Sequence, residues 1–163
     1  MKHKKITTLI ILFITFTLVY FILFKKPTKI VNYEPAMEDA FLKYIREEMF
    51  PPEEYSKIYK MYEAHKVFEV RKRLNRYYVY MYYAYEIYYS QYHSRSSGSN
   101  PVVVKMKKNY NETYSVIKFK KPMDGEAYGD SLKSLFPKYI AEDILANSHI
   151  FIKDMLKNIK QIK

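Results

Sequence analysis

From Ile6 to Phe24 the chain runs nineteen positions without a charge. A helix rises about 1.5 Å per residue, so a run of that length matches the hydrocarbon core of a bilayer. The pattern predicts a transmembrane signal anchor over 6–24 behind a basic tail at 1–5. The apolar run exceeds the core of a cleaved signal peptide, and no small-residue cleavage site precedes Pro27. Three lysines flank each side, which balances the positive-inside count. The short tail favours a cytoplasmic N-terminus. The expected location is the cell membrane, single-pass, with the C-terminal domain outside and residues 25–33 as a linker.

The pattern then becomes amphipathic. Met37, Phe41, Tyr44 and Ile45 follow helical spacing behind Pro35, predicting a helix to about Phe50. A second helix is expected from Pro52 to about Ala64, striped by Tyr55, Ile58, Tyr59 and Tyr62. From Lys66 the period falls to two, with Val67, Glu69 and Arg71 on one side and Phe68, Val70 and Lys72 on the other. Leu74-Asn75-Arg76 reads as a tight connection. The stretch RYYVYMYYAYEIYYSQ, residues 76–91, organises the rest. Its odd positions are apolar throughout, while its even ones include Glu86 and Ser90, which predicts a strand with one face on a core and one part-solvated. A helix would spread the tyrosines around its whole circumference.

HSRSSGSN, residues 93–100, reads as a polar loop, Pro101–Lys108 as a third strand and Tyr110–Lys121 as a fourth. Short connections predict an antiparallel meander. Asp124-Gly125 marks a turn, Asp130 or Ser131 a helix cap, and Ser148 the cap of a separate amphipathic helix over 148–163. The expected class is α+β: an extracytoplasmic domain over 34–147 of two helices, a four-stranded antiparallel meander and C-terminal helices, packed on one sheet face as a cone.

Composition narrows the chemistry. With no cysteine, disulfides, thiolate metal sites and a cysteine nucleophile are excluded. The four histidines share no metal-ligand spacing, and no phosphate-loop, dinucleotide or nucleophile-elbow motif occurs. No cofactor, metal or catalytic residue is expected. The net charge is +11, and residues 67–123 hold eleven Lys or Arg against Glu69, Glu86 and Glu112. The positive charge therefore falls on the sheet.

One segment looks familiar. Pro101–Val104, Tyr114–Val116, Pro122, Asp124-Gly125, Tyr128 and Leu135–Pro137 follow a recurring pattern. Residues 66–140 thereby resemble small extracytoplasmic domains of low-GC Gram-positive bacteria, cystatin-like or nuclear-transport-factor-2-like and largely uncharacterised. Some of those appear attached to membrane peptidases similar to β-lactam sensors. The resemblance implies the fold and an envelope location, and no catalytic residue.

The functional expectation is a non-enzymatic, membrane-anchored binding or accessory domain that senses or scaffolds a membrane complex, with a protein partner. The alternatives are a small enzyme with a tyrosine-lined pocket, or attachment to an anionic polymer or lipid through a basic sheet. Candidate binding-surface residues are Tyr78, Tyr80, Tyr82, Tyr88, Arg71, Arg73, Arg76 and Lys105. Candidate pocket or turn residues are Tyr83, Tyr85, Asp124 and Tyr128. An outward-facing domain argues against nucleic acid as the partner.

Overall fold

The computed structural model describes residues 13–17, 28–49, 59–89 and 95–162. The element order is β1 (Lys29–Val31), α1 (Pro35–Met49), β2 (Tyr59–Arg73), β3 (Arg76–Tyr89), β4 (Arg95–Lys108), β5 (Tyr114–Lys120), a 3-10 turn (Gly125–Ala127), α2 (Tyr128–Leu135) and α3 (Lys138–Ile162). The five strands pair in sequence order, every pair antiparallel.

The α+β class and the antiparallel order hold, with several corrections. There are five strands rather than four, because part of the expected linker is β1, which pairs with Val70–Lys72. The expected second helix is strand from Tyr59 onward, since Met61, His65 and Val67 pair with Ile87, Tyr83 and Met81; residues 51–58 lie outside the described residues. The expected loop over 93–100 is strand from Arg95. Ser148 caps nothing: it lies inside α3, which runs unbroken for 25 residues.

The transmembrane helix over 6–24 is also corrected, and with it the single-pass membrane location. Among the described residues no helix is long and apolar enough to cross a membrane. Of that stretch only residues 13–17 are described, as a helical segment. Five residues rise about 7–8 Å, a fraction of the roughly 30 Å core. Within it Thr17 donates its hydroxyl to the carbonyls of Phe13 and Ile14. The rest of the expected anchor and the tail at 1–5 lie outside the described residues.

The sheet is covered on both faces, not one. The odd residues of β3, Tyr77, Val79, Met81 and Tyr83, form one core with Met37, Phe41 and Ile45 of α1 and Val102, Val104 and Met106 of β4. The even residues Tyr82 and Ala84 form a second core with Leu132 of α2, Phe136 just after it, and Ile140, Ile144, Phe151 and Met155 of α3. Helical spacing of three and four puts the α3 residues on one stripe, and antiparallel alternation sends neighbouring β3 side chains to opposite layers. Glu86, only 1 % exposed, is carried into the second layer by this alternation; the Tyr88 hydroxyl donates to its Oε2 at 2.6 Å.

A bulge in β2 aligns the cores. Val67 pairs with Met81 and Glu69 with Tyr80, so Phe68 is the extra residue. Strict alternation would place Val67 and Val70 on opposite faces. With the bulge both face α1, while Phe68 reaches the second core, 5.5 Å from the Phe151 ring.

Two local features fix the ends of elements. Leu74 turns the β2–β3 hairpin with a positive φ of 53°, so the left-handed residue of this connection is Leu74 and not Asn75. The Asn75 amide instead donates to the Lys108 carbonyl at 3.3 Å, tying two adjacent loops. At the start of α2 the cap position is Ala127. Ser131, expected as a cap, accepts the Met123 backbone N–H and donates to the Tyr128 carbonyl, both at 2.9 Å.

Candidate functional site

α2 and α3 do not cover their whole sheet face. Register and alternation define its rows, read across the strands. Under the helices lies the row Lys66–Tyr82–Pro101. At the edge of the cover lies Glu69–Tyr80–Val103–Lys120, where Tyr80 meets Phe136 at 5.7 Å and the Tyr139 hydroxyl bonds Glu69. Beyond it come Arg71–Tyr78–Lys105–Lys118 and then Arg73–Arg76–Lys107–Ser115. Seven cations and a single carboxylate occupy these last three rows.

That carboxylate is committed: Glu69 takes the Arg71 Nε and the Tyr139 hydroxyl. The two contacts offset one charge. Among the described residues no carboxylate pairs with Arg76, Lys105, Lys107, Lys118 or Lys120. Arg73 stands opposite Arg76, Arg76 opposite Lys107, and Lys105 opposite Lys118. Directly opposed like charges cost roughly 0.2–1 kcal/mol per pair, so this arrangement works against folding. Part of it is softened by aromatic faces: the Lys105 ammonium lies 5.3 Å from the Tyr78 ring and the Arg71 guanidinium 5.7 Å from Tyr80.

The surface has relief. A cavity of about 340 Å3 opens where α2 ends over the sheet, between Leu135 on the helix side and Lys105, Lys118 and Lys120 on the strands. A second hollow, of about 460 Å3, lies at the loop end of the sheet beside Lys72, Lys107 and Lys108. Here Lys108 is paired with Glu112 and Glu34, so the charge is partly spent.

The eight residues expected to form a binding surface all fall on this face by register. The structure divides them. Arg71, Arg73, Arg76, Tyr78 and Lys105 lie in the uncovered rows, and Tyr80 marks their border. Tyr82 is buried under Phe151, at 6.2 Å between rings, and Tyr88 sits at the far end of β3 against Glu86. Lys107, Lys118 and Lys120 were not among the expected site residues. Their signal was the repeated Lys-x-Lys spacing in β4 and β5, which alternation places on one face.

The expected pocket residues do not converge. Tyr83 and Tyr85 belong to the α1 side, where their rings stack at 6.0 Å and burial pushes the Tyr83 hydroxyl up to about 12. Tyr128 packs on the opposite side of the sheet, and Asp124 is exposed at the turn preceding it.

One other polar cluster lies on the α1 side. His65 presents Nδ1 to the Glu63 carboxylate at 3.2 Å and is met edge-on by Phe41 and Tyr33. Burial opposes its charge, but the hydrogen bond and charge of Glu63, with Glu38 farther off, outweigh it and raise its pKa above the usual histidine value. Among the described residues no group of three or more His, Asp or Glu could hold a metal.

No family model, curated protein or solved structure matches the chain.

Proposed function

We propose that the protein is a non-catalytic binding domain, and that its working surface is the uncovered cationic half of the α2–α3 sheet face. Its ligand is an anionic polymer. One observation carries the reading: Lys105 stands directly opposite Lys118 and Arg76 directly opposite Lys107, and among the described residues no carboxylate pairs with any of the four. A solvated basic face of no consequence would intersperse acids, because each opposed pair costs stability. An arriving polyanion would reverse the sign of that term and release its counterions.

The test is retention of the full chain on heparin across a salt gradient, with polyphosphate as a second probe. Expected is elution at raised salt and an affinity that falls steeply with ionic strength. The variant carrying Lys105→Glu and Lys118→Glu should elute near the void. Weak retention of the parent chain, or a variant that elutes with it, refutes the reading.

A further inference from the structure

The cavity beside the end of α2 has a sheet floor that passes from tyrosines on β3 to lysines on β4 and β5, and that change defines a ligand. On one side stand the Lys105, Lys118 and Lys120 ammonium groups. Lys105 faces Lys118 across the ladder, and Lys120 follows one period along β5. Cross-strand partners lie about 5 Å apart at Cβ, and same-face residues of one strand about 6.5 Å apart. The charge is therefore spread over several points, which suits an anion with charge on more than one group. Lysine binds phosphate as a point charge, so a spread of three ammonium groups can meet several phosphate oxygens without a fixed bidentate geometry. Toward β3 the same floor carries Val103 and the Tyr78 and Tyr80 rings, and Leu135 of α2 stands over it. This part of the cavity offers apolar side chains and flat ring faces, with the Lys105 ammonium 5.3 Å from the Tyr78 ring. The cavity is open to solvent on one side, and its volume of about 340 Å3 lies at the lower end of the range for small-ligand pockets. It is too small for a folded partner to enter.

We infer that this cavity binds a phosphorylated ligand of nucleotide size, its phosphates on Lys105, Lys118 and Lys120 and its ring against Leu135 and the tyrosines. The inference rests on the anion-binding reading above and adds a discrete site to it. The phosphates supply the missing counter-charge for the Lys105–Lys118 pair. The ring fills the hollow that α2 leaves at its last turn.

Calorimetric titration of the full chain with ATP, inorganic triphosphate and adenosine tests it, beside heparin retention. ATP is expected to bind about tenfold or more tighter than triphosphate, and adenosine not measurably. Ser134, an exposed residue at the cavity rim, provides a charge-neutral block: Ser134→Trp should abolish the preference for ATP while heparin retention stays unchanged. Leu135→Ala is the second variant, and serves where the first does not fold. It should bring ATP down to the affinity of triphosphate and leave triphosphate binding as it was. Equal affinities for ATP and triphosphate in the parent chain, or ATP binding untouched by both variants, overturn the cavity ligand even with heparin binding intact. Loss of heparin retention in the parent chain overturns the underlying reading instead.

Discussion

Replacing Lys118 with glutamate should stabilise the fold while weakening the surface it belongs to. Lys118 stands directly opposite Lys105 on β4 and pairs with no carboxylate among the described residues. The parent pair is repulsive by roughly 0.2–1 kcal/mol, and an opposite-charge pair in the same position is attractive by a similar amount. The two contributions act in the same direction. Lys118 is exposed, so solvent and salt screen both, and the expected gain is at the lower end, about 0.5–1 kcal/mol. For a chain of this size that corresponds to a rise in Tm of about 1–4 °C. The change removes no buried group, so no packing penalty competes. Urea melts of parent and Lys118→Glu at low salt would show a higher midpoint for the variant with an unchanged slope. The gain should shrink in molar salt, where the Debye length is about 3 Å. Heparin retention should fall in the same variant. A variant less stable than the parent at low salt, or a gain indifferent to salt, would refute the argument that the opposed lysines are a cost the fold carries.

Two further predictions concern the α1 side. A Cβ at Gly98 would lie 2.6 Å from the Tyr85 hydroxyl oxygen, so Gly98→Ala must push that ring off its stack with Tyr83; overpacking of about 1–3 kcal/mol exceeds the roughly 0.5–1 kcal/mol gained by losing a strand glycine, and chemical denaturation should show a net loss that vanishes or reverses in a Tyr85→Ala background. His65 has a raised pKa in the folded state, so its contribution is complete below the unfolded value of about 6.5 and is lost as pH rises through the folded value. Denaturation midpoints measured from pH 5.5 to 8.5 should therefore decline more in the parent than in Glu63→Gln, and parallel profiles would refute the pairing.

The tyrosine strand was legible because its residues fit a pleated surface and its period is two. Its surroundings were less so. Tyrosine has an apolar ring and a polar tip, so alternation of tyrosine with valine or methionine does not say which face meets water. Tyr82 and Ala84 read as the part-solvated side and lie buried under α3. The strand from Lys66 was legible, but the first half of β2, Tyr59 to His65, was hidden for a similar reason. Tyr59, Met61, Tyr62 and His65 satisfy helical spacing as well as strand spacing, and cross-strand pairing with Tyr83–Tyr89 decides between them. The loop reading of 95–100 followed from Ser, Gly and Asn content, which the ladder to β3 overrode. Gly98 is tolerated there because the Tyr85 ring lies across it.

The sequence by itself determined that the chain is basic through its middle, free of cysteine and built of helices segregated from an antiparallel meander. These follow from composition and from periods of two and 3.6, which are properties of single segments. Tertiary structure alone decided that both sheet faces are covered, that Phe68 is an extra residue, and that Arg71, Arg73, Arg76, Lys105, Lys107, Lys118 and Lys120 share one uncovered half-face. Those facts depend on register between strands and on where α2 ends, and no local pattern contains either. A slip of one residue would send each lysine to the opposite layer, so the charged face exists only through long-range pairing.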